Sequence, residues 1–227
     1  MPLFDKHEVI ATILKTGLVP VFYYGDTSTV INVCETIVDA GSPIVEFTNR
    51  GPMAFKVFEE IIRWRNSKKE NLIIGAGTIL DSATASLYIN IGADFIVAPN
   101  FNPEVAKLCN RRNVVYIPGC STLTEITAAE AFGVDIFKIF PAEVLGPKFI
   151  KNILAPCPWL KLMPSGGIRP TRDEIKEWIN AGAVALNIGS ALLRRDLIMS
   201  GRFQELRKMV EECISYIREA REHKSQK

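Results

Sequence analysis

Short apolar runs recur at regular intervals along this chain. Each closes in a Gly, Pro, Ser or Thr turn, and an amphipathic helical segment follows most of them. The runs are LVPVFY (18–23), PIVEFT (43–48), LIIGAG (72–77), DFIVAP (94–99), VVYIPG (114–119), DIFKIF (135–140), LKLMPS (160–165) and VALNIG (184–189). Strands that alternate with helices pair in parallel through right-handed crossovers. Parallel strands are covered on both faces, so they read as continuous apolar runs rather than alternating ones. Eight such units predict an α/β fold, a (β/α)8 TIM barrel, and 227 residues lie at the compact end of its range. One domain spanning 1–227 is expected. A doubly wound open sheet is the rival, but no G-x-G-x-x-G follows the first strand. An N-terminal helix over about 5–16 is expected to cover the barrel floor. A C-terminal helical extension, SGRFQELRKMVEECISYIREA, puts Phe203, Leu206, Val210, Cys213 and Ile217 on one face to pack on the outside. The charged tail REHKSQK is expected to fray.

Composition excludes several function classes. The formal charge is +2, which gives no bulk reason for nucleic acid or acidic membranes as partners. No apolar run is long enough to span a bilayer, and the start MPLFDKHEVIATILK lacks the apolar core of a signal peptide. Five cysteines without a C-x-x-C pair predict free thiols in a reducing compartment. His7 and His223 both lie away from the predicted strand ends. A Ser-His-Asp or Cys-His mechanism, or a histidine metal site, is therefore not expected. Carboxylates at the strand ends are too few for a carboxylate-only metal site, so no metal is expected.

Against this background two charges stand out. Lys138 lies in the middle of DIFKIF and Glu46 in the middle of PIVEFT. Side chains alternate along a strand. Phe137 and Ile139 suit the helix-facing layer, as do Val45 and Phe47, which sends Lys138 and Glu46 inward with Ile136, Phe140, Ile44 and Thr48. A charge taken out of water costs on the order of several kcal/mol unless it is paired. One reading is a buried ion pair that only fixes structure. The other follows from desolvation, which disfavours the charged form of a lysine and yields a neutral amine. Such an amine attacks a carbonyl and forms a Schiff base, and Glu46 would move protons beside it.

The turns at the strand ends supply further candidates, because chemistry in such barrels sits at that face. Arg50, in FTNRG, is placed to clamp a carboxylate through two parallel hydrogen bonds, or is simply a solvated loop arginine. GAGT (75–78) offers the Thr78 hydroxyl to a carboxylate, or is a tight turn with a helix cap. PSGGI (164–168) closes the seventh strand; IGSA (188–191) closes the eighth and is expected to start a helix. Two glycine-rich turns on adjacent strands fit an anionic group held by backbone N–H groups and a helix N-terminus. Cys120 in PGCST lies near the substrate or fills a tight turn, and Glu143 serves a loop or helix start.

Taken together, VEFTNR, GAGT, the PG turn with STLTE, FKIFPAE, PSGGI and Gly189-Ser190 resemble the class I 2-keto-3-deoxy-6-phosphogluconate and 4-hydroxy-2-oxoglutarate aldolases over nearly the whole chain. The resemblance implies a cofactor-independent lyase. It makes Lys138 the imine-forming residue and Glu46 the general acid–base. Arg50, Thr78 and Ser165 fall at the carboxylate end, and Gly166, Gly167, Gly189 and Ser190 at the phosphate end. It implies a small-molecule 2-oxo acid substrate and a homotrimer in the cytoplasm. The chain departs from the common pattern at Asn49, at Ser165 in place of threonine, and at Tyr23-Tyr24-Gly25-Asp26, where many relatives carry a basic residue. The alternatives are another phosphate-binding barrel enzyme, such as an isomerase or metal-free decarboxylase, and a non-catalytic binding barrel.

Overall fold

The computed structural model of the protein describes residues 2–68 and 71–225. The chain begins with α1 (Lys6–Thr16), β1 (Leu18–Phe22), α2 (Thr27–Asp39), β2 (Ile44–Thr48) and α3 (Ala54–Lys68). It continues through β3 (Ile73–Gly77), α4 (Ser82–Ile91), β4 (Phe95–Val97), α5 (Pro103–Arg112), β5 (Val115–Ile117) and β6 (Gly119–Cys120). Then come α6 (Leu123–Glu130), β7 (Phe137–Ile139), α7 (Ala142–Leu154), β8 (Leu162–Pro164), α8 (Arg172–Ala181) and β9 (Leu186–Ile188). A short α9 (Arg195–Met199) and the long α10 (Phe203–Ser225) close it. Most of the tail expected to fray is thus helical, and residues 226–227 lie outside the described residues.

Every strand pair among the described residues is parallel. The ladders form a six-stranded sheet in the order β5-β4-β3-β2-β1-β9 and a three-stranded sheet in the order β6-β7-β8. This is the expected α/β fold with a curled parallel sheet, but its ladder comes in two pieces rather than one eight-stranded ring. The fifth expected strand is broken at Pro118, which has no N–H to give to a ladder. The Pro118 carbonyl still accepts the Lys138 N–H at 2.9 Å. At the other junction a single parallel bridge joins Ser165 to Asn187, and the Val184 N–H reaches the Leu162 carbonyl at 3.0 Å.

Alternation sorts the side chains as expected. Ile44, Phe95, Ile136, Met163 and Ala185, from both sheet pieces, share one inner cluster with Val19. Val45, Phe47, Phe137 and Ile139 face the helices in a second, larger cluster. One inner cluster fed by both pieces is what curls the sheet. Val9 and Ile13 of α1 are fully buried in that same inner cluster. Burying an aliphatic side chain contributes about 1.5–3 kcal/mol, so α1 is held across the N-terminal end of the strands. A capping box between Asp5 and Glu8 starts α1, and Gly17, at φ 73°, ends it. On α10, Leu206, Val210, Cys213 and Ile217 are buried, against α8 and α2.

One helix start differs from expectation. No regular helix begins at IGSA: the Gly189 carbonyl accepts the N–H groups of Leu192 and Leu193, both at 2.9 Å, in one isolated turn before α9. In contrast, α7 starts directly after Pro141, and its backbone leaves helical geometry at Gly146 (φ 71°, ψ 166°), just before Pro147. Glycine tolerates that conformation and proline removes an N–H, so the break falls where the helical ladder is weakest.

Candidate active site

At the C-terminal ends of the strands lies a cavity of about 380 Å³, within the size range of small-molecule sites. Lys138 and Glu46 line it, as do Arg50, Thr78 and Ser165. The two glycine-rich turns complete the wall with Gly166, Gly167, Gly189 and Ser190. All nine side chains and turns singled out from the sequence therefore meet around one space. Its ionisable groups are Arg50, Lys138 and Glu46, a set suited to an anionic ligand.

Lys138 sits on β7, between Gly119 and Met163 in the register. It is 8% exposed, and its Nζ lies 5.3 Å from the centroid of the Phe140 ring. No ion pair involves it among the described residues. Glu46, on β2, is 1% exposed. The two line one cavity without forming the ion pair that a purely structural role would call for.

Glu46 instead belongs to a polar network. Its Oε2 accepts a hydrogen bond from Asn187 Nδ2 at 2.9 Å, and the same amino group donates to the Val19 carbonyl at 3.0 Å. Ser165 Oγ donates to Asn187 Oδ1 at 2.5 Å. No buried side-chain nitrogen or oxygen among the described residues lacks a partner. Asn187 was missed in reading the sequence. The signal was present: Leu186 and Ile188 pack outward, so the amide between them must point inward, by the alternation that marked Lys138.

The carboxylate-end candidates are held by local geometry. Thr48 Oγ1 accepts from Arg50 Nε at 2.9 Å and donates to the Phe22 carbonyl at 3.3 Å. This buried hydroxyl fixes the root of an exposed guanidinium. Thr78 follows β3 at φ 61°, a left-handed conformation that costs a β-branched residue about 1–3 kcal/mol. The cap of α4 is Asp81, not Thr78, which removes the helix-cap reading. Asn49 turns away from the cavity and accepts from the Tyr88 hydroxyl at 2.9 Å.

In the turn after β8, Gly166 and Gly167 have φ of 99° and 72°, open to glycine without strain. Their turn is anchored to α7: the Ala142 N–H donates to the Ser165 carbonyl at 2.8 Å and the Glu143 N–H to the Gly166 carbonyl at 3.1 Å. Glu143 thus serves the helix start. The buried Cys120 is outside the cavity wall, and burial pushes its thiol up to about 12, which makes it a poor nucleophile. A second hollow of about 480 Å³ adjoins the first through Val21, Arg50 and Ser190, and is faced by Tyr23, Tyr24 and Arg195. Burial raises the Tyr24 phenol, and the nearby Arg195 opposes that shift. No group of three His, Cys, Asp or Glu side chains suited to a metal occurs among the described residues.

The sequence model of the KDPG and KHG aldolase family matches residues 9–209. A 2-dehydro-3-deoxy-phosphogluconate aldolase of Haemophilus influenzae is 29% identical over 216 residues, covering 95% of this chain and 99% of its own. A 2-dehydro-3-deoxy-6-phosphogalactonate aldolase of Escherichia coli (strain K12) is 31% identical over 159 residues, 70% of this chain and 75% of its own. Among solved structures, the 4-hydroxy-2-oxoglutarate aldolase/2-deydro-3-deoxyphosphogluconate aldolase from TTHB1 superposes with a TM-score of 0.79 at 25% identity, covering 94% of this chain and 99% of that one. A KDPG aldolase of Legionella pneumophila, with pyruvate captured as a covalent carbinolamine intermediate, gives 0.80 at 22% identity over 88% and 95% of the chains, a likeness of fold.

Proposed function

We propose a division of labour among these side chains, from the premise that the chain belongs to the KDPG and KHG aldolase family and is a class I aldolase, a carbon–carbon lyase that cleaves 2-keto-3-deoxy-6-phosphogluconate. Lys138 Nζ attacks the C2 carbonyl to form a carbinolamine, which loses water to give the imine. The iminium draws electrons from the C3–C4 bond as the C4 hydroxyl gives up its proton. Glyceraldehyde 3-phosphate leaves, and the three remaining carbons stay on Lys138 as an enamine. Protonation at C3 and hydrolysis then release pyruvate and the free amine. Glu46 carries the protons in these steps. Arg50 and Thr78 hold the substrate carboxylate, with Arg50 offering paired N–H donors, and Ser165, whose O–H is committed to Asn187 Oδ1, borders that end of the site and supports the network behind it. Gly166, Gly167, Gly189 and Ser190 receive the phosphate through backbone and hydroxyl donors. The same imine chemistry extends to 4-hydroxy-2-oxoglutarate, cleaved to pyruvate and glyoxylate.

The observation that carries this reading is one inward lysine and one buried carboxylate lining a single cavity, with no ion pair between them. The carbinolamine held by the Legionella protein is the intermediate assigned here to Lys138. The test is incubation with pyruvate and borohydride. The expected product is a reduced three-carbon adduct on Lys138, found by intact mass and peptide mapping; no adduct would refute the imine.

Three further assignments complete the proposal. The two sheet pieces close into a (β/α)8 barrel, supported by chain continuity through Pro118 and by the bridge from Ser165 to Asn187. The protein is a homotrimer of the cytoplasm, supported by the family resemblance. No helix among the described residues is long and apolar enough to cross a membrane.

A further inference from the structure

The Asn187 amide can be oriented without ambiguity. The Val19 carbonyl only accepts hydrogen bonds, so the group 3.0 Å from it is the amino end of Asn187. That same nitrogen lies 2.9 Å from Glu46 Oε2, and both its N–H bonds are thereby committed. The amide oxygen takes the Ser165 hydroxyl. Asn187 is 1% exposed and paired in register with Val19 and Ser165. It is held on three sides and has little freedom to rotate.

This breaks the symmetry of the Glu46 carboxylate. Oε2 faces a fixed N–H donor, so a proton placed there would compete with that bond. Oε1 lies over Gly77, in space that a side chain would fill: a Cβ there would sit 1.8 Å away. We infer that Asn187 is a positioning residue, which ties down Glu46 Oε2 and leaves Oε1 as the oxygen that exchanges protons with the bound substrate. The inference rests on the reading of Glu46 as the acid–base. A carboxylate misplaced by about 1 Å loses roughly 100-fold in rate, so the tether acts on the rates of proton transfer, not on how much imine Lys138 holds at equilibrium with pyruvate.

The test separates those two steps. Wild type and Asn187→Leu are compared for the extent of borohydride trapping after equilibration with pyruvate, which reads the imine population and not the rate at which it forms. They are also compared for exchange of the pyruvate methyl hydrogens in deuterium oxide by proton NMR, which reads proton transfer at C3. The expected result is trapping within about twofold of wild type and exchange slowed about 10- to 100-fold. Exchange within about twofold of wild type overturns the inference, and so does an equal fall in both readouts, which would mark a structural role. If Asn187→Leu does not fold, the isosteric Asn187→Asp carries the same comparison, since it sets an oxygen against Oε2 in place of the N–H. Failure of both variants to fold also counts against a positioning role. A wild type that traps no pyruvate would instead refute the Lys138 reading itself.

Discussion

An ideal Cβ built on Gly77 falls 1.8 Å from Glu46 Oε1 and 2.6 Å from its Cδ. The glycine of GAGT thus holds open the space that the Glu46 carboxylate occupies, and its backbone needs no left-handed conformation to do so. Gly77→Ala should therefore fold and still lose about 100-fold in kcat for cleavage, because the methyl displaces the carboxylate proposed as the acid–base. Steady-state kinetics with a thermal-unfolding control checks this. Lys138 and Glu46 could be picked out in the sequence because a charge within an apolar run breaks a strong rule of burial. Asn187 breaks it more weakly and escaped notice. The left-handed Thr78, at φ 61°, left no trace in its residue type, since threonine is not the residue that conformation favours.

Strands and helices were readable to the extent that their periodicity was local. The alternation of apolar runs and amphipathic segments gave the order of elements and their inward and outward faces. It did not foresee the split between β5 and β6, which depends on a ladder bond that Pro118 cannot make. Nor did it foresee the isolated turn after β9. Contacts between distant positions were also hidden. Arg65 of α3 and Asp94, just before β4, are both fully buried, with Nη1 2.5 Å from Oδ2. Asp94 also accepts the Leu3 N–H at 2.8 Å and the Ile74 N–H at 2.9 Å, and Arg65 reaches the Leu72 carbonyl at 3.2 Å. One pair thus joins the N-terminal segment, α3, β3 and β4. Nothing in the sequence near either residue names its partner. Asp94→Ala leaves a buried guanidinium without its counter-charge, so stability should fall by about 3–5 kcal/mol. Urea unfolding measures the loss, with an unchanged m-value if the native fold persists.

For the assembled chain, the long-range order of strands follows from parallel pairing and short connections, which is why the α/β architecture could be read in advance. Assembly of several chains has no such local signature. Sedimentation is expected to give three times the 25.3 kDa chain mass; a monomer would remove the trimer. The seal that α1 makes, with Val9 and Ile13 packed among the inner side chains, leaves the interior a blind alley. Whatever enters by the mouth must back out the same way. The fragment still bonded to the amine cannot depart until water has cut it loose, so the aldehyde goes first and the keto acid last. In product-inhibition kinetics, pyruvate should then compete with the substrate and the aldehyde should not.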